Sequence, residues 1–184
     1  MANRSYLFSI DFDRTIEQRN ETKKVYGLSE WPYAIPLAYK ILVSQEAKLS
    51  PSIIFDYDKP IAIIGDFYKG REKLFAFLDE LLKLNILDND ELTTQINDAK
   101  EYLYDEKIEA KYIILECGEI YEMGTDAFEE ANKNLYENEI QQIGKTIDDF
   151  ISKVKNISGD SKNIMNEIDS MLGIGFWDEV LYYQ

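Results

Sequence analysis

The chain has 184 residues, 45% hydrophobic and 13% aromatic, and its 20 Lys and Arg against 35 Asp and Glu leave a formal charge of −15. That length and apolar content suit one folded core and exclude wholesale disorder. Histidine is absent and cysteine occurs once, which excludes a Ser-His-Asp triad, a Cys-His pair, a His/Cys zinc site and an internal disulfide.

Residues 5–10 (SYLFSI) form an aromatic and apolar run that predicts a short strand. The polar stretch 11–26 reads as a loop. Residues 27–36 (GLSEWPYAIP) carry two prolines, and 37–43 then read as a short buried helix. The β-branched runs 52–56 (SIIFD) and 61–66 (IAIIGD) flank residues 57–60 and predict a hairpin. From Lys69 the period changes: Leu74, Phe75, Phe77, Leu78, Leu81 and Leu82 line one broad face of a helix running to about Leu84.

Asp88-Asn89-Asp90 offers cap chemistry for a second helix reaching Asp105, and 112–116 (YIILE) predicts another strand. Ile140, Ile143, Ile147, Phe150, Val154 and Ile157 then recur 3 or 4 residues apart, a long helix whose stripe packs on the protein's own sheet. Ser158-Gly159-Asp160 breaks it, a short helix ends near Leu172, and 176–183 finish as a strand. With no regular βαβ alternation, the expectation is a single α+β domain over residues 1–184. Its small, mostly antiparallel sheet is covered by several helices, one of them long and in the C-terminal half.

Residues 1–60 hold 8 acids and 8 bases, residues 61–118 hold 13 and 7, and residues 119–184 hold 14 and 5. The whole acidic excess therefore lies after residue 60. Such a field repels phosphate backbones and anionic lipid, so neither nucleic acid nor a membrane surface is an expected partner. It attracts a basic protein. No apolar stretch reaches the roughly 18 residues of a spanning helix, and charges occupy residues 1–14 where an export signal needs an apolar run. The expected compartment is the cytoplasm.

Two patterns could carry function. Glu101, Tyr102, Tyr104, Asp105 and Glu106, with Glu119, Tyr121 and Glu122, interleave tyrosines and carboxylates. Tyrosine supplies contact area at low entropy cost, and carboxylates around it complement a basic target. The second pattern is the run 7–16 (LFSIDFDRTI), which resembles the first motif of haloacid-dehalogenase-type phosphatases, an apolar strand followed by D-x-D-x-T. The resemblance implies Asp11 as nucleophile, Asp13 as acid/base, Asp66 beside a magnesium ion and Ser44 on the phosphate. Only 55 residues separate Asp11 from Asp66, too few for the parallel strands and crossovers of that fold, and 67–71 (FYKGR) lack its second carboxylate. Cys117 lies between Glu116 and Glu119, where negative charge opposes a thiolate.

The strings 1–8 (MANRSYLF), 27–31 (GLSEW), 35–44 (IPLAYKILVS), 60–66 (PIAIIGD) and 74–78 (LFAFL) resemble a bacterial family of uncharacterised proteins, more loosely through 111–124. Small acidic proteins of this kind are often immunity proteins of bacterial toxin systems. The charge asymmetry and the lack of a complete catalytic constellation point to a non-enzymatic module, without cofactor or metal, expected to be an immunity protein that occludes a basic toxin. The alternative is the magnesium-dependent phosphatase.

Overall fold

The computed structural model describes residues 3–18, 23–57, 59–84, 89–157, 161–177 and 180. Five strands form one sheet: β1 (Arg4–Ile10), β2 (Val25–Pro32), β3 (Lys48–Ser50), β4 (Ala62–Asp66) and β5 (Tyr112–Glu116). Their spatial order is β2-β1-β5-β4-β3, and every neighbouring pair is antiparallel. The helices are α1 (Leu37–Val43), α2 (Phe67–Lys83), α3 (Asn89–Leu103), α4 (Gly118–Tyr121), α5 (Phe128–Leu135), α6 (Ile143–Asn156) and α7 (Ser161–Leu172). The α+β class expected from composition and periodicity is the class observed. Among the described residues, no helix is long and apolar enough to cross a membrane.

The three central strands explain the layout. In register, Leu7 faces Leu115 and Leu115 faces Ile63, while Phe8 faces Ile114 and Ile114 faces Ile64. Side chains alternate across a strand, so these two rows lie on opposite faces, and both are buried. The first row packs under the helices, against residues such as Leu42, Leu74, Leu103 and Leu172. The second row is covered without any described helix, by Phe12, Ile53, Ile54, Phe55 and Val180.

That second face changes the expected hairpin. The partner of β4 is β3, and residues 52–56 are not a strand. Ser52 Oγ accepts hydrogen bonds from the backbone of Ile54 and Phe55 at 3.0 and 2.7 Å, and the Glu116 carboxylate accepts one from Ile53 N at 2.7 Å. Side-chain acceptors thus take the amides a ladder would need, and the segment folds flat over the sheet as a flap.

Residues 25–32, expected as the end of a loop and a proline-bearing stretch, form β2 instead. Val25, Tyr26 and Trp31 favour a strand while Gly27 and Pro32 oppose one, and pairing with β1 along a register bulged between Leu7 and Phe8 makes the strand. The expected long helix starts at Ile143 and follows a π-helical turn, Tyr136–Ile140, that separates α5 from α6. Its stripe is buried at Ile140, Ile143, Phe150 and Val154, with Phe150 edge-on to Phe77 of α2 at 6.0 Å. Phe176 and Trp177, expected in a final strand, are irregular, and residues 178, 179 and 181–183 of that strand lie outside the described residues, as do Asp88 and Ser158-Gly159-Asp160.

Helices α1 and α2 approach each other closely. A Cβ on Gly70 of α2 would sit 1.8 Å from the Leu42 carbonyl oxygen, closer than any side chain permits. Gly70→Ala is expected to cost about 3 kcal/mol, read as a lowered urea midpoint, because backbone must move to admit one methyl.

Glu116 lies fully buried at the end of β5, and its Oε2 has no hydrogen-bond partner. Burial pushes its carboxyl from an ordinary value near 4.5 up to about 8, against the opposing hydrogen bonds from Ile53 and Ser52. Because the folded value is the higher, the protonated group's stabilisation is complete below pH 4.5 and is lost as pH rises through 8. Urea midpoints should therefore fall between pH 5 and pH 8 by about 1 kcal/mol per pH unit, and Glu116→Gln should remove most of that slope.

Candidate functional site

Helix α3 carries two stripes. Leu92, Ile96, Ala99 and Leu103 are buried against the core, and beside them Gln95, Asp98 and Tyr102 repeat at helical spacing, with Asp105 following two residues past the end of the helix. The second stripe lines one wall of a groove of about 430 Å³, together with Glu101. The opposite wall is Ile174, Gly175 and Trp177.

That opposite wall is held by the end of α7. Gly173 takes φ 69°, a left-handed conformation that favours glycine, and its amide donates to the Asp169 carbonyl at 2.8 Å to close the helix. Ser29 Oγ of β2 donates to the Phe176 carbonyl, and Trp177 Nε1 donates to the Ile174 carbonyl at 2.7 Å. The indole is thereby set parallel to the Tyr102 ring, with centroids 6.1 Å apart and planes at 28°. The Tyr102 hydroxyl donates to the Gly27 carbonyl at 3.3 Å, so both polar handles are used inward and the rings form a fixed aromatic platform.

Asp98, Glu101 and Asp105 are exposed around this platform, and no ion pair among the described residues includes them. Asp105 accepts one backbone hydrogen bond, from Lys107 N at 2.9 Å. Among the described residues, no basic residue lines the groove. Glu101 and Asp105 lie at the C-terminal end of α3, where the helix dipole disfavours anions. Behind Gly175, the Asp169 Oδ1 is buried without a hydrogen-bond partner, and burial raises that carboxyl, with repulsion from Glu91 adding to it. The arrangement is an anionic rim around an aromatic floor, which suits a cation carried on an apolar stem.

The sequence-predicted surface is divided. Glu101, Tyr102 and Asp105 share the groove, and Glu106 is exposed one residue beyond it. Tyr104 turns to the other side of α3: the Arg71 guanidinium stacks on its ring at 3.8 Å, and its hydroxyl donates to Glu72 at 2.8 Å. Arg71 also donates to the Leu103 carbonyl and to Glu109, which pins residues 103–109.

Glu119, Tyr121 and Glu122 follow the opposite end of β5, about 14 Å away at roughly 3.4 Å per residue. Glu119 accepts hydrogen bonds from Arg4 N and the Tyr6 hydroxyl, at 2.9 and 2.8 Å. Tyr121 is buried and donates to Asn132 Oδ1 at 2.8 Å. Both hold the fold together, and only Glu122 of these three is exposed. Sequence reasoning missed Gln95, Asp98 and Trp177. The 3, 4, 3 spacing of 95, 98, 102 and 105 was available as a signal, whereas nothing local ties Trp177 to Tyr102.

The phosphatase residues have structural partners. Asp13 accepts from Thr15 N and Oγ1 at 3.0 and 2.6 Å and pairs with Lys48 at 3.2 Å. Burial would raise its carboxyl, but those contacts outweigh it and leave the group below its ordinary value. Asp11 is exposed and accepts from Lys24 N at 3.1 Å. Asp66 caps α2 through Lys69 N at 2.8 Å, and Ser44 donates to the Ile41 carbonyl.

The sheet end does bring Ile10 and Asp66 to either side of Tyr112, yet among the described residues no three acidic, histidine or cysteine groups converge on a cation position. The sheet is antiparallel where the resemblance implies parallel strands. Cys117 is buried, which pushes its thiol well above its ordinary value and leaves it unreactive.

These features define an antiparallel α+β protein whose chemistry-bearing surface is a groove with a charged rim. Residues 14–157 match the family described as Domain of unknown function (DUF7822), and the chain belongs to that family. Among curated proteins and solved structures, nothing matches the chain.

Tyr121→Phe is expected to strand Asn132 Oδ1 in the core and lower stability by about 1–3 kcal/mol, measured by denaturant unfolding.

Proposed function

We propose that this protein is a non-enzymatic binding module for a basic protein, acting in the cytoplasm as an immunity protein that covers a toxin. The observation that carries the reading is the groove between α3 and the 174–177 segment, where Asp98, Glu101 and Asp105 stand without cationic partners around the Tyr102–Trp177 stack. A charged rim of this kind steers an oppositely charged partner and speeds encounter, and the aromatic pair supplies contact area once it docks. The absence of histidine is no handicap to such a role, since inhibition proceeds by covering the partner's active site and not by bond making. The overall charge of −15 favours the same approach from long range.

The test is affinity capture from native cells with two baits, the wild-type chain and a triple variant Asp98→Asn, Glu101→Gln, Asp105→Asn. A basic protein should be held by the first and released by the second. With that partner purified, the variant's association rate should fall about tenfold at low salt and lose most of its salt dependence. A partner held equally by both baits, or one without basic excess, would sink the reading.

A further inference from the structure

A second depression has the opposite electrostatic character. It encloses about 380 Å³ between the residues preceding α1, the π-helical turn, α6 and the end of α7. Pro36, Leu37, Phe150 and Met171 make its floor apolar. Lys40, Lys145 and Lys153 are on its walls, against the acids Glu139 and Asp149. Lys40 is neutralised by Glu139 at 2.6 Å. Lys145 and Lys153 are exposed and enter no ion pair or hydrogen bond among the described residues, although Asp149 lies four residues from each along α6. The third of the chain from residue 119 on holds 14 acids and 5 bases, and two of those five bases stand here. A solvated acidic surface does not account for that concentration.

The backbone supports a built pocket. The π-helical turn between α5 and α6 carries Asn138 and Glu139 to the pocket wall. Insertions of this type recur at functional positions. Thr146 Oγ1 donates to the Glu139 carbonyl at 3.0 Å and fixes the turn against α6. The pocket's size falls in the range that encloses small organic ligands, roughly 300–1,000 Å³, and it corresponds to about a dozen waters.

We infer that this pocket binds a small amphipathic anion, with an apolar body of about ten carbons on the Leu37–Phe150–Met171 floor and a carboxylate between Lys145 and Lys153. Burying the chain provides the attraction, and the two ammonium groups select the sign of the headgroup. Three lysines against two carboxylates leave the lining with an excess of one positive charge, which disfavours a cationic amphiphile, and a neutral alcohol would gain only the apolar contact.

The experiment compares decanoate, decanol and decyltrimethylammonium on the full-length protein, each below its micelle concentration. Binding is followed through the methyl signals of methionines labelled with carbon-13. Decanoate should shift the Met171 methyl saturably and leave Met123 unmoved. Decanol should bind at least tenfold more weakly, and the cation should not shift Met171. The surface variant Lys145→Gln/Lys153→Gln should weaken decanoate at least fivefold and leave decanol unchanged. Equal binding of decanoate and decanol, an unaltered double variant, or no saturable Met171 shift would each overturn the assignment. None of these outcomes depends on the α3 groove, so this test and the partner-capture test fail independently.

Discussion

Burial of the β1-β5-β4 core on both faces is the constraint that organises this molecule. Leu7, Leu115 and Ile63 on one side, and Phe8, Ile114 and Ile64 on the other, form apolar rows across the same three strands. A sheet that is apolar on both sides needs two covers, and the described helices supply one. The other is an irregular flap of residues 51–55 with Phe12 and Val180. A loop buried in that way must find partners for its amides, which Ser52 and Glu116 provide. The buried carboxyl of Glu116 is therefore a consequence of how the second face is closed, and its raised pKa follows from the same burial.

The single helical layer also decides where function can lie. Helices α3, α6 and α7 turn one face to the core and leave the flanks of that face at the surface. The α3 flank meets the segment that leaves α7, and the groove between them is anionic and aromatic. The α6 flank meets α1 and the end of α7 beside the π-helical turn, and that hollow has an apolar floor, with Lys145 and Lys153 outside any ion pair among the described residues and Glu139 and Asp149 on its walls. The two depressions differ in their charged lining: Asp98, Glu101 and Asp105 in the first, and three lysines with two carboxylates in the second.

Several carboxylates and tyrosines that look alike in sequence have unlike fates. Tyr121 is a core residue bonded to Asn132, Tyr104 lies under the Arg71 guanidinium, and Tyr102 supports Trp177. Glu119 ties β1 to α4, whereas Asp98 and Glu101 enter no ion pair among the described residues. The same holds for the phosphatase-like run, where Asp13 is consumed by Thr15 and Lys48. Side-chain type sets what each residue can do, and the neighbours brought by the sheet select among those options.

Periodicity and composition alone settled the α+β class, the strand at 5–10, the strand at 112–116 and the amphipathic helices, because burial of an apolar stripe is encoded at fixed local spacing. The acidic excess after residue 60, and the chemistry excluded by having no histidine and one cysteine, are likewise properties of the chain itself. Tertiary structure decided the rest. Residues 25–32 became a strand because β1 offered them an edge, and 52–56 lost theirs because Ser52 and Glu116 captured the amides. The groove pairs Tyr102 with Trp177, 75 positions apart, and the second depression joins Leu37 to Met171. Local spacing carries no information about contacts at that separation; they exist only once the sheet has fixed which helices lie side by side.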